Sequence, residues 1–597
     1  MSEYRAPLRD MQFVLKELAG LEDVAQLPGC EEASTDVVDA VLEEAAKFAE
    51  GVLSPLNGVG DRDGLLFNDG QVAMPKGFGD AYKLFAESGW TALNCEPEWG
   101  GQGLPKLVAA PVSEMWKSAN HAFSLCPMLT SSAIEALVLS GSDELKQTYL
   151  EKMVSGEWTG TMNITEPGAG SDLAAICSRA VPQADGSFRI FGQKIFITYG
   201  EHDMADNIIH LMLARTPTAP EGVKGISLFL VPKFMVDADG RPGERNDVRC
   251  VSIEHKLGIH ASPTGVMAFG DKGGAIGFLV GEENRGLEYM FIMMNAARFG
   301  VGMEGVSACE RAYQRARDYA KDRIQGTDIG VRNGAKVPII AHPDVRRMLM
   351  SMKAQAEASR ALAYVVAGAQ DKAHHHPEAD VRKQNQAFVD LMTPVVKGWS
   401  TEIGIEVAST GIQVHGGMGF IEETGAAQHL RDARISSIYE GTTGIQANDL
   451  IGRKIARDGG EALKTVIGMM RALDAELAKQ SNEHLATIRR RLAAGVNALG
   501  KAGEWIVATH ASDVHATSAG AVPFLMLFGI VAGGWQMARA ALIAQSRIDA
   551  GNSDPFYQVK VITARFFADH LLTRADGLAD SVTEGATGVM ALAEDQF

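Results

Sequence analysis

The sequence has few of the residues that mark several large classes of protein. Its six cysteines include no CxxC pair and no Cys/His cluster with zinc spacing, which argues against a zinc domain and a disulfide scaffold. We therefore expect reduced thiols in a cytoplasmic protein, without a metal site. The first residues show no basic segment followed by an apolar run, so we also expect no secretory signal.

Basic residues are also in short supply. The chain has 56 Lys and Arg against 74 Asp and Glu, a formal net charge of −18. Nucleic-acid phosphates are held by clustered basic side chains, and residues 461–597 contain only one such cluster, at 489–491. The composition therefore argues against a nucleic-acid partner.

One long stretch lacks charge altogether. Residues 514–538 contain no Asp, Glu, Lys or Arg. About 20 apolar residues suffice to cross a bilayer, so its length is adequate for a transmembrane helix. However, the stretch includes Pro523 and four glycines, and no second stretch of this kind accompanies it. A buried helix of a helical domain is the better interpretation, with peripheral membrane association left open.

The remaining composition, 46% apolar and 22% charged, is that of a folded protein, and its pattern changes along the chain. Apolar residues at helical spacing dominate before residue 160 and after residue 280. Strand-like runs punctuated by Gly, Pro, Asp and Asn lie between them, at 188–198, 208–214, 226–231 and 276–280. We predict helical domains at 1–160, 281–455 and 460–597, and a β domain at 161–280.

Glycine-rich strings supply the candidate functional residues, which lie at 162–172 (MNITEPGAGSD), 413–420 (QVHGGMGF) and 438–446 (IYEGTTGIQ). Such turns leave backbone N–H groups free for a phosphate or for the edge of a planar heterocycle, although on chemistry alone a structural turn is the favoured explanation. Glu440 stands beside Gly441 in an apolar stretch. A lone glutamate is usually solvated, but a desolvated one can act as a general base.

A GxGxxG string at Gly300, Gly302 and Gly305 has a different interpretation. The dinucleotide fingerprint requires a preceding strand, whereas the residues before Gly300 have a helical pattern. We therefore interpret these glycines as positions where two helices pack closely.

Together the strings resemble the acyl-CoA dehydrogenase family. TEPGAGSD (165–172), KIFIT (194–198), DRIQG (322–326), QVHGGMGF (413–420) and RDARISSIYEGTTGIQ (431–446) occur in the family's order. The resemblance covers about residues 35–455. Length and the last helical block are similar to those of the long members, which include 3-methylmercaptopropionyl-CoA dehydrogenase-like enzymes and bacterial fatty acyl-CoA dehydrogenases.

The resemblance implies a mainly α fold with a central β-barrel. The helical N-terminal domain would precede the barrel, and a four-helix bundle and an extra C-terminal helical domain would follow it. FAD would be held between domains and subunits. The implied reaction is α,β-dehydrogenation of an acyl-CoA to the trans-2-enoyl-CoA, with Glu440 as the base and FAD N5 as the hydride acceptor. Electrons would pass to an electron-transfer flavoprotein, and the long form implies a homodimer.

The resemblance also assigns binding residues. For FAD it implies Met162, Asn163, Ile164, Thr165, Phe196, Ile197, Thr198, Arg323, Gln325, Gln413, Gly416, Gly417 and Thr442. For the acyl-CoA it implies Ser171, Asn295, Arg298 and Gly441. None of these positions is a metal ligand.

The chain departs from the family pattern at two informative positions. Gly326 stands where several relatives have a Phe against the adenine, so that contact is lost or replaced. Ala297 stands where some branches carry the base, which supports Glu440 as the base here. Two alternatives remain: an acyl-CoA oxidase that uses oxygen, and an alkylation-response-type flavoprotein associated with nucleic acid. The acyl chain of the substrate stays open.

Overall fold

The computed structural model describes residues 4–597, which fold into two compact units. We call the first the helical unit; it comprises Met1–Ala46, Pro105–Ser118 and Val301–Phe597. We call the second the sheet unit; it comprises Lys47–Leu104 and Ala119–Gly300.

Helices account for most of the regular structure. In chain order they are α1 Leu8–Phe13, α2 Leu21–Val24, α3 Thr35–Phe48, α4 Ser54–Asp63, α5 Phe78–Glu87, α6 Lys106–Ala119, α7 His121–Ser140, α8 Asp143–Val154, α9 Gly286–Asp322, α10 Pro343–His375, α11 Ala379–His415, α12 Ala426–Ala433, α13 Thr443–Asn448, α14 Glu461–Ala478, α15 Glu483–Thr509, α16 Val514–Ala519, α17 Ala521–Asp549, α18 Pro555–His570, α19 Ala575–Glu584 and α20 Ala586–Val589.

The strands are concentrated in the sheet unit. In chain order they are β1 Leu66–Asn68, β2 Gln71–Ala73, β3 Trp158–Asn163, β4 Arg179–Pro182, β5 Phe188–Thr198, β6 Asn207–Ala214, β7 Ser227–Pro232, β8 Phe234–Val236, β9 Pro242–Arg245, β10 Val248–Ile253, β11 Thr264–Phe269, β12 Ala275–Val280, β13 Ile324–Thr327 and β14 Lys336–Pro338. Each of the four strand-like runs in the sequence coincides with a strand to within a residue or two.

One eight-stranded sheet carries the sheet unit. Its order is β10-β11-β5-β12-β7-β6-β3, and β4 pairs with β5 beside this path. The order has two ends, so the strands form an open sheet rather than the closed β-barrel that we expected. The long strand β5 changes partner at Gly192: residues from there onward pair with β11, and earlier ones with β4 and β12. Gly192 has a φ of 149°, which favours glycine.

The apolar run of β6 is continuous because both of its faces are covered. Ile209, Leu211 and Leu213 belong to a core that also contains residues of α7 and α8. Met212 and Ala214 belong to a second core with residues of β5 and β7. Alternate side chains of a strand point to opposite faces, so a strand buried on both sides shows no polar alternation.

Helix α17 fills the centre of the last helical block. By length and composition α7 and α17 could each cross a membrane, but 67% and 83% of their apolar windows are buried inside the protein. The uncharged stretch 514–538 therefore includes a buried helix, as expected; α16 precedes it, and Gly520 separates the two.

Two glycines of the GxGxxG string let helices of the helical unit approach closely. A Cβ added at Gly302 would lie 2.7 Å from a side-chain carbon of Val396. One added at Gly305 would lie 2.2 Å from the carbonyl oxygen of Ser400. Both glycines lie within α9, opposite α11, which confirms the helix-packing interpretation.

The helical unit also buries a cluster of charged side chains, which we call the buried ion cluster. Arg360 on α10 and Lys560 on α18 provide its cationic centres, and each is at most 3% exposed. Arg360 donates to Asp10, Glu114 and Glu310, whereas Lys560 donates to Asp10 and Glu357. The cluster thus links α18, which belongs to the last helical block (460–597, called the C-terminal block below), to α1 and α10.

Candidate active site

In the sheet unit, the loop after β3 lies beside strand β5. The N–H of Ile195 donates to the carbonyl of Thr165 at 2.9 Å. The hydroxyl of Thr161 donates to the carbonyl of Thr198 at 2.6 Å. The structure therefore brings together two groups of predicted FAD contacts, Met162–Thr165 and Phe196–Thr198, that are remote in sequence.

A buried ion pair holds this loop. Lys194 and Glu166 have 0% and 2% side-chain exposure and lie 2.8 Å apart. The Lys194 ammonium also donates to the carbonyl of Ile164 at 3.0 Å, and the Ser178 hydroxyl donates to Glu166. Both members of the pair occur in the matched strings, but sequence reasoning gave them no role. Lys194 in an otherwise apolar strand was the available signal.

The pair remains ionised near neutral pH. Burial opposes ionisation of Glu166, but Lys194 and Ser178 outweigh it and hold the pKa of this carboxyl at about 2. Burial lowers the pKa of Lys194 to about 8, although Glu166 acts in the opposite direction. A charge-assisted hydrogen bond therefore fixes the Ile164 carbonyl.

Strand β5 ends in an unusual backbone conformation. Phe196 and Tyr199 have φ values of 59° and 53°, in the left-handed region that costs a non-glycine residue about 1–2 kcal/mol. Tyr199 is buried and its hydroxyl donates to the carbonyl of Ala122 at 2.7 Å, which anchors the turn. Phe196 is 59% exposed. An exposed aromatic ring beside a hydroxyl-bearing residue, Thr198, fits the stacking and hydrogen bonding of a planar isoalloxazine ring.

In the helical unit, Glu440 occupies a strained turn. Glu440 and Gly441 have φ values of 53° and 87°, and Glu440 is half-buried. The turn ends where the Thr442 hydroxyl accepts from the N–H of Ile445 at 3.2 Å and caps α13. The φ of 87° at position 441 favours glycine, and a Cβ there would lie 2.6 Å from Nε2 at the end of the Gln446 side chain. Strained non-glycine residues cluster at active sites, which favours a functional role for Glu440.

Four hydrogen bonds within the helical unit hold the turn. The hydroxyl of Tyr439 donates to Glu304 at 2.6 Å, Gln446 Nε2 to the carbonyl of Glu440 at 3.1 Å, Lys397 Nζ to the carbonyl of Gly441 at 2.7 Å, and the hydroxyl of Thr443 to Glu402 at 2.5 Å. Burial and the Glu304 carboxylate raise the pKa of Tyr439 well above its ordinary value, so its hydroxyl stays protonated. Sequence reasoning missed Glu304, Lys397 and Glu402 because they reach the turn through tertiary contacts, whereas Gln446 lies in the matched string itself.

Helix α9 carries two of the predicted acyl-CoA contacts. Arg298 is buried, and its guanidinium donates to the side chain of the exposed Asn295 at 3.3 Å. Ala297, the position of the alternative base, is fully buried. The third predicted contact, Ser171, lies exposed in the turn after β3, and the fourth is Gly441 itself.

The remaining predicted FAD contacts lie near the carboxyl ends of α9 and α11. Tyr319 of α9 stacks on His415 of α11 with ring centroids 4.3 Å apart, so these two helix ends are neighbours. Just beyond them, Arg323 Nη2 lies 3.5 Å from Gln325 Oε1. The exposed residues at these ends are Arg323, Gln325, Gln413, Gly416 and Gly417.

Four family models match consecutive parts of the chain. They describe the acyl-CoA dehydrogenase N-terminal domain (35–157), middle domain (161–271) and C-terminal domain (284–455), and the acetyl-CoA dehydrogenase C-terminal-like domain (466–593). Together they cover most of the sequence, including the last helical block.

Curated relatives match over nearly the whole length. The 3-methylmercaptopropionyl-CoA dehydrogenase of Ruegeria pomeroyi is 48% identical over 97% of this chain and 98% of its own. The broad-specificity linear acyl-CoA dehydrogenase of Mycobacterium tuberculosis is 36% identical over 100% of both chains.

Solved structures share the fold. An acyl-CoA dehydrogenase from Bacillus anthracis, complexed with FAD, superimposes with a TM-score of 0.73 at 21% identity over 98% of this chain and 93% of its own. Caenorhabditis elegans ACDH-11, in complex with C11-CoA, gives 0.74 at 21% identity over 96% and 92% of the two chains.

Proposed function

The chain belongs to the acyl-CoA dehydrogenase family, and we propose that Glu440 is the base that removes the α-proton of its acyl-CoA substrate. The observation that carries this assignment is the strained turn at Glu440, which four hydrogen bonds hold in place. A backbone kept in a costly conformation fixes the carboxylate relative to its own N–H group.

The family reaction is an α,β-dehydrogenation that depends on FAD. Bound FAD supplies the acceptor for the hydride that leaves the β-carbon. In the proposed mechanism a carboxylate oxygen of Glu440 takes the α-proton, and the electron pair of that C–H bond forms the new double bond. The product is the trans-2-enoyl-CoA.

Removing the α-proton places negative charge on the thioester carbonyl oxygen. We assign the backbone N–H of Glu440 as one donor to that oxygen. Loss of a comparable oxyanion donor costs about 2.7–4 kcal/mol in other enzymes. Because the donor and the base belong to one residue, a rigid backbone at this position serves both functions.

We assign the cofactor and substrate contacts to the residues that the family resemblance implies; most of them are exposed or half-buried, whereas Asn163, Ile197 and Arg298 are buried. The side-by-side arrangement of the β3 loop and β5 and the exposed Phe196 ring support this assignment for the flavin ring. The proposed FAD contacts are Met162, Asn163, Ile164, Thr165, Phe196, Ile197, Thr198, Arg323, Gln325, Gln413, Gly416, Gly417 and Thr442. The proposed acyl-CoA contacts are Ser171, Asn295, Arg298 and Gly441.

For the acyl group we propose 3-methylmercaptopropionyl-CoA as the first candidate. The relative that carries this name is 48% identical and matches over 98% of its own length. A relative at 36% identity is named for broad specificity toward linear acyl-CoA thioesters, which makes linear substrates the second candidate. A panel of both kinds, assayed with an artificial electron acceptor, compares their kcat/KM values directly.

We further propose a cytoplasmic homodimer with one domain boundary near each of residues 160, 280 and 460. The four family-model ranges support the boundaries, and the last range, 466–593, is typical of long members.

Family members pass electrons to an electron-transfer flavoprotein, which we propose as the partner here. Light scattering of the purified protein tests the dimer, since a tetramer would contradict it.

Glu440→Gln tests the base. We expect this variant to keep FAD and its thermal midpoint but to lose turnover, because a neutral amide cannot accept the α-proton. Anaerobic mixing with acyl-CoA, followed at 450 nm, should show almost no bleaching of the flavin. Glu423→Gln, at an exposed glutamate, serves as the control and should bleach normally.

Near-normal bleaching in Glu440→Gln would remove Glu440 from the mechanism.

A second measurement addresses the oxidase alternative, which the comparisons do not favour. Turnover in air without an added acceptor should release little hydrogen peroxide.

A further inference from the structure

Lys397 is the buried lysine among the four hydrogen-bond donors that hold the Glu440 turn. It lies on α11 with 0% exposure, and its ammonium donates to the carbonyl of Gly441 at 2.7 Å. An ammonium removed from water is costly unless strong hydrogen bonds replace its hydration. An aliphatic side chain would fill this site without that cost, so lysine differs here by the polar contacts of its ammonium, which include the hydrogen bond to the Gly441 carbonyl.

The carbonyl that accepts from Lys397 belongs to Gly441, the residue directly after Glu440. Glu440 and Gly441 both have left-handed backbone conformations, with φ values of 53° and 87°. The carbonyl of Glu440 accepts from Gln446, and the carbonyl of Gly441 accepts from Lys397. Of these two donors only Lys397 is charged, so it makes the stronger of the two hydrogen bonds.

Helix α17 of the C-terminal block fixes the part of α11 that carries Lys397. A Cβ at Gly398 would lie 2.7 Å from Leu525 of α17. The ring of Trp399 packs on Gly529 and Gly533, where an added Cβ would come within 2.1 and 2.5 Å of it. The two residues after Lys397 are therefore in close contact with α17, which limits any shift of the ammonium.

We propose that Lys397 is a positioning residue for Glu440, held in place by α17, and that this is one task of the additional C-terminal helices. The ammonium fixes the Gly441 carbonyl, so the strained turn keeps the Glu440 carboxylate and N–H in the arrangement needed for proton abstraction. The inference rests on the proposed function because it takes Glu440 as the base.

Lys397→Met, tested in the FAD-loaded full-length enzyme, removes the ammonium and keeps the length of the side chain. We expect the rate constant for anaerobic flavin bleaching by acyl-CoA to fall roughly 10- to 100-fold, because small misplacements of catalytic groups cost rates of this order. The amplitude should stay full and KM should change less than about threefold. A purely structural defect would instead reduce the amplitude and leave the rate constant of the active fraction unchanged.

A second readout does not depend on activity. Amide hydrogen exchange in a peptide covering residues 437–448 should accelerate in Lys397→Met, while exchange in α15 and α18 stays as in the wild type. Lys353→Met is the matched control, because Lys353 is another largely buried lysine of the helical unit, paired with Glu357 on α10. It should leave both the bleaching rate constant and the exchange of 437–448 unchanged.

Lys397→Gln replaces the Met variant if the latter does not fold, and it is judged by the same limits. A bleaching rate constant within about twofold of the wild type in the folded variant overturns the inference, whatever its stability. Glu440→Gln separates the two proposals. Normal bleaching there defeats the proposed function, whereas a dead Glu440→Gln with a normal Lys397 variant defeats only this inference.

Discussion

Lys560→Met tests how the buried ion cluster ties the C-terminal block to the rest of the helical unit. The ammonium is 3% exposed and donates to Asp10 and, at 2.6 Å, to Glu357. Hydrogen bonds to charged groups contribute about 1.5–3 kcal/mol each, and breaking a buried ion pair costs about 3–5 kcal/mol. Asp10 retains Arg360, and Glu357 retains Lys353, so neither carboxylate is left alone.

Because these partners remain, we expect the free energy of unfolding to fall by about 3 kcal/mol, the lower end of the range for a broken buried ion pair. Urea denaturation followed by tryptophan fluorescence measures it, since Trp399 and Trp535 are both buried in the helical unit. The control Lys479→Met breaks an exposed pair, with side chains 65% and 55% accessible, and should cost less than about 1 kcal/mol. The double variant Lys560→Met/Asp10→Asn should recover part of the loss in the free energy of unfolding, because it removes a buried carboxylate that has lost one of its two cationic partners.

The pH dependence gives an independent check. Burial opposes ionisation of Asp10, but Lys560 and Arg360 outweigh it and hold its pKa well below the ordinary value of 3.8. A lowered pKa stabilises the folded state above the unfolded pKa, and this stabilisation is lost as the pH falls below it. The difference in the free energy of unfolding between wild type and Lys560→Met should therefore decrease as the pH falls from about 5 toward 3. A loss below about 1 kcal/mol at pH 7 would refute the reasoning.

Two further predictions concern other buried charges. Lys194→Met leaves the buried Glu166 carboxylate without its cationic partner. This variant should lower the free energy of unfolding of the sheet unit by about 3–5 kcal/mol and reduce the ratio of flavin to protein absorbance. Adding Glu166→Gln in a double variant should restore the stability. Lys152→Met, at a half-exposed pair in the same unit, should change neither quantity. Asp371 accepts from the N–H groups of Lys106 and Leu107, and burial raises its pKa to about 6 from 3.8. The folded protein therefore binds the Asp371 proton more tightly than the unfolded chain does. As the pH rises from 4 to 6, the free energy of unfolding of the wild type relative to Asp371→Asn should fall by up to about 3 kcal/mol. Urea denaturation measures this difference, and a difference that stays constant with pH would contradict the prediction.

The elements with strong local patterns were predictable from the sequence. Strand β5 was expected at 188–198 and spans Phe188–Thr198, because apolar residues and flanking turns mark it. The uncharged stretch 514–538 was recognised as buried, although Gly520 divides it into two helices. The openness of the sheet was not predictable, because closure depends on which strands meet at its ends.

The site was only partly predictable, for a physical reason. The sequence placed Glu440 beside a glycine, Gly441, but Glu440 and Phe196 are not glycines themselves, and their left-handed conformations depend on tertiary contacts. The supports of the Glu440 turn come from distant positions such as Glu304 and Lys397. A lysine among apolar helix residues, as in PVVKGW (394–399), was the one local sign of such a support.

Each of the two site loops is held by a buried lysine that donates to a backbone carbonyl. Lys194 holds Ile164 in the sheet unit, and Lys397 holds Gly441 in the helical unit. Such loops cannot use helix or sheet hydrogen bonds for these carbonyls, and the left-handed residues at Phe196 and Glu440 add a conformational cost of about 1–2 kcal/mol each. A neutral donor contributes about 1 kcal/mol, whereas a charged donor contributes about 1.5–3 kcal/mol, which is comparable to or larger than that cost. This difference favours a charged donor at each loop, and at Lys194 the pairing with Glu166 offsets part of the desolvation cost of the ammonium.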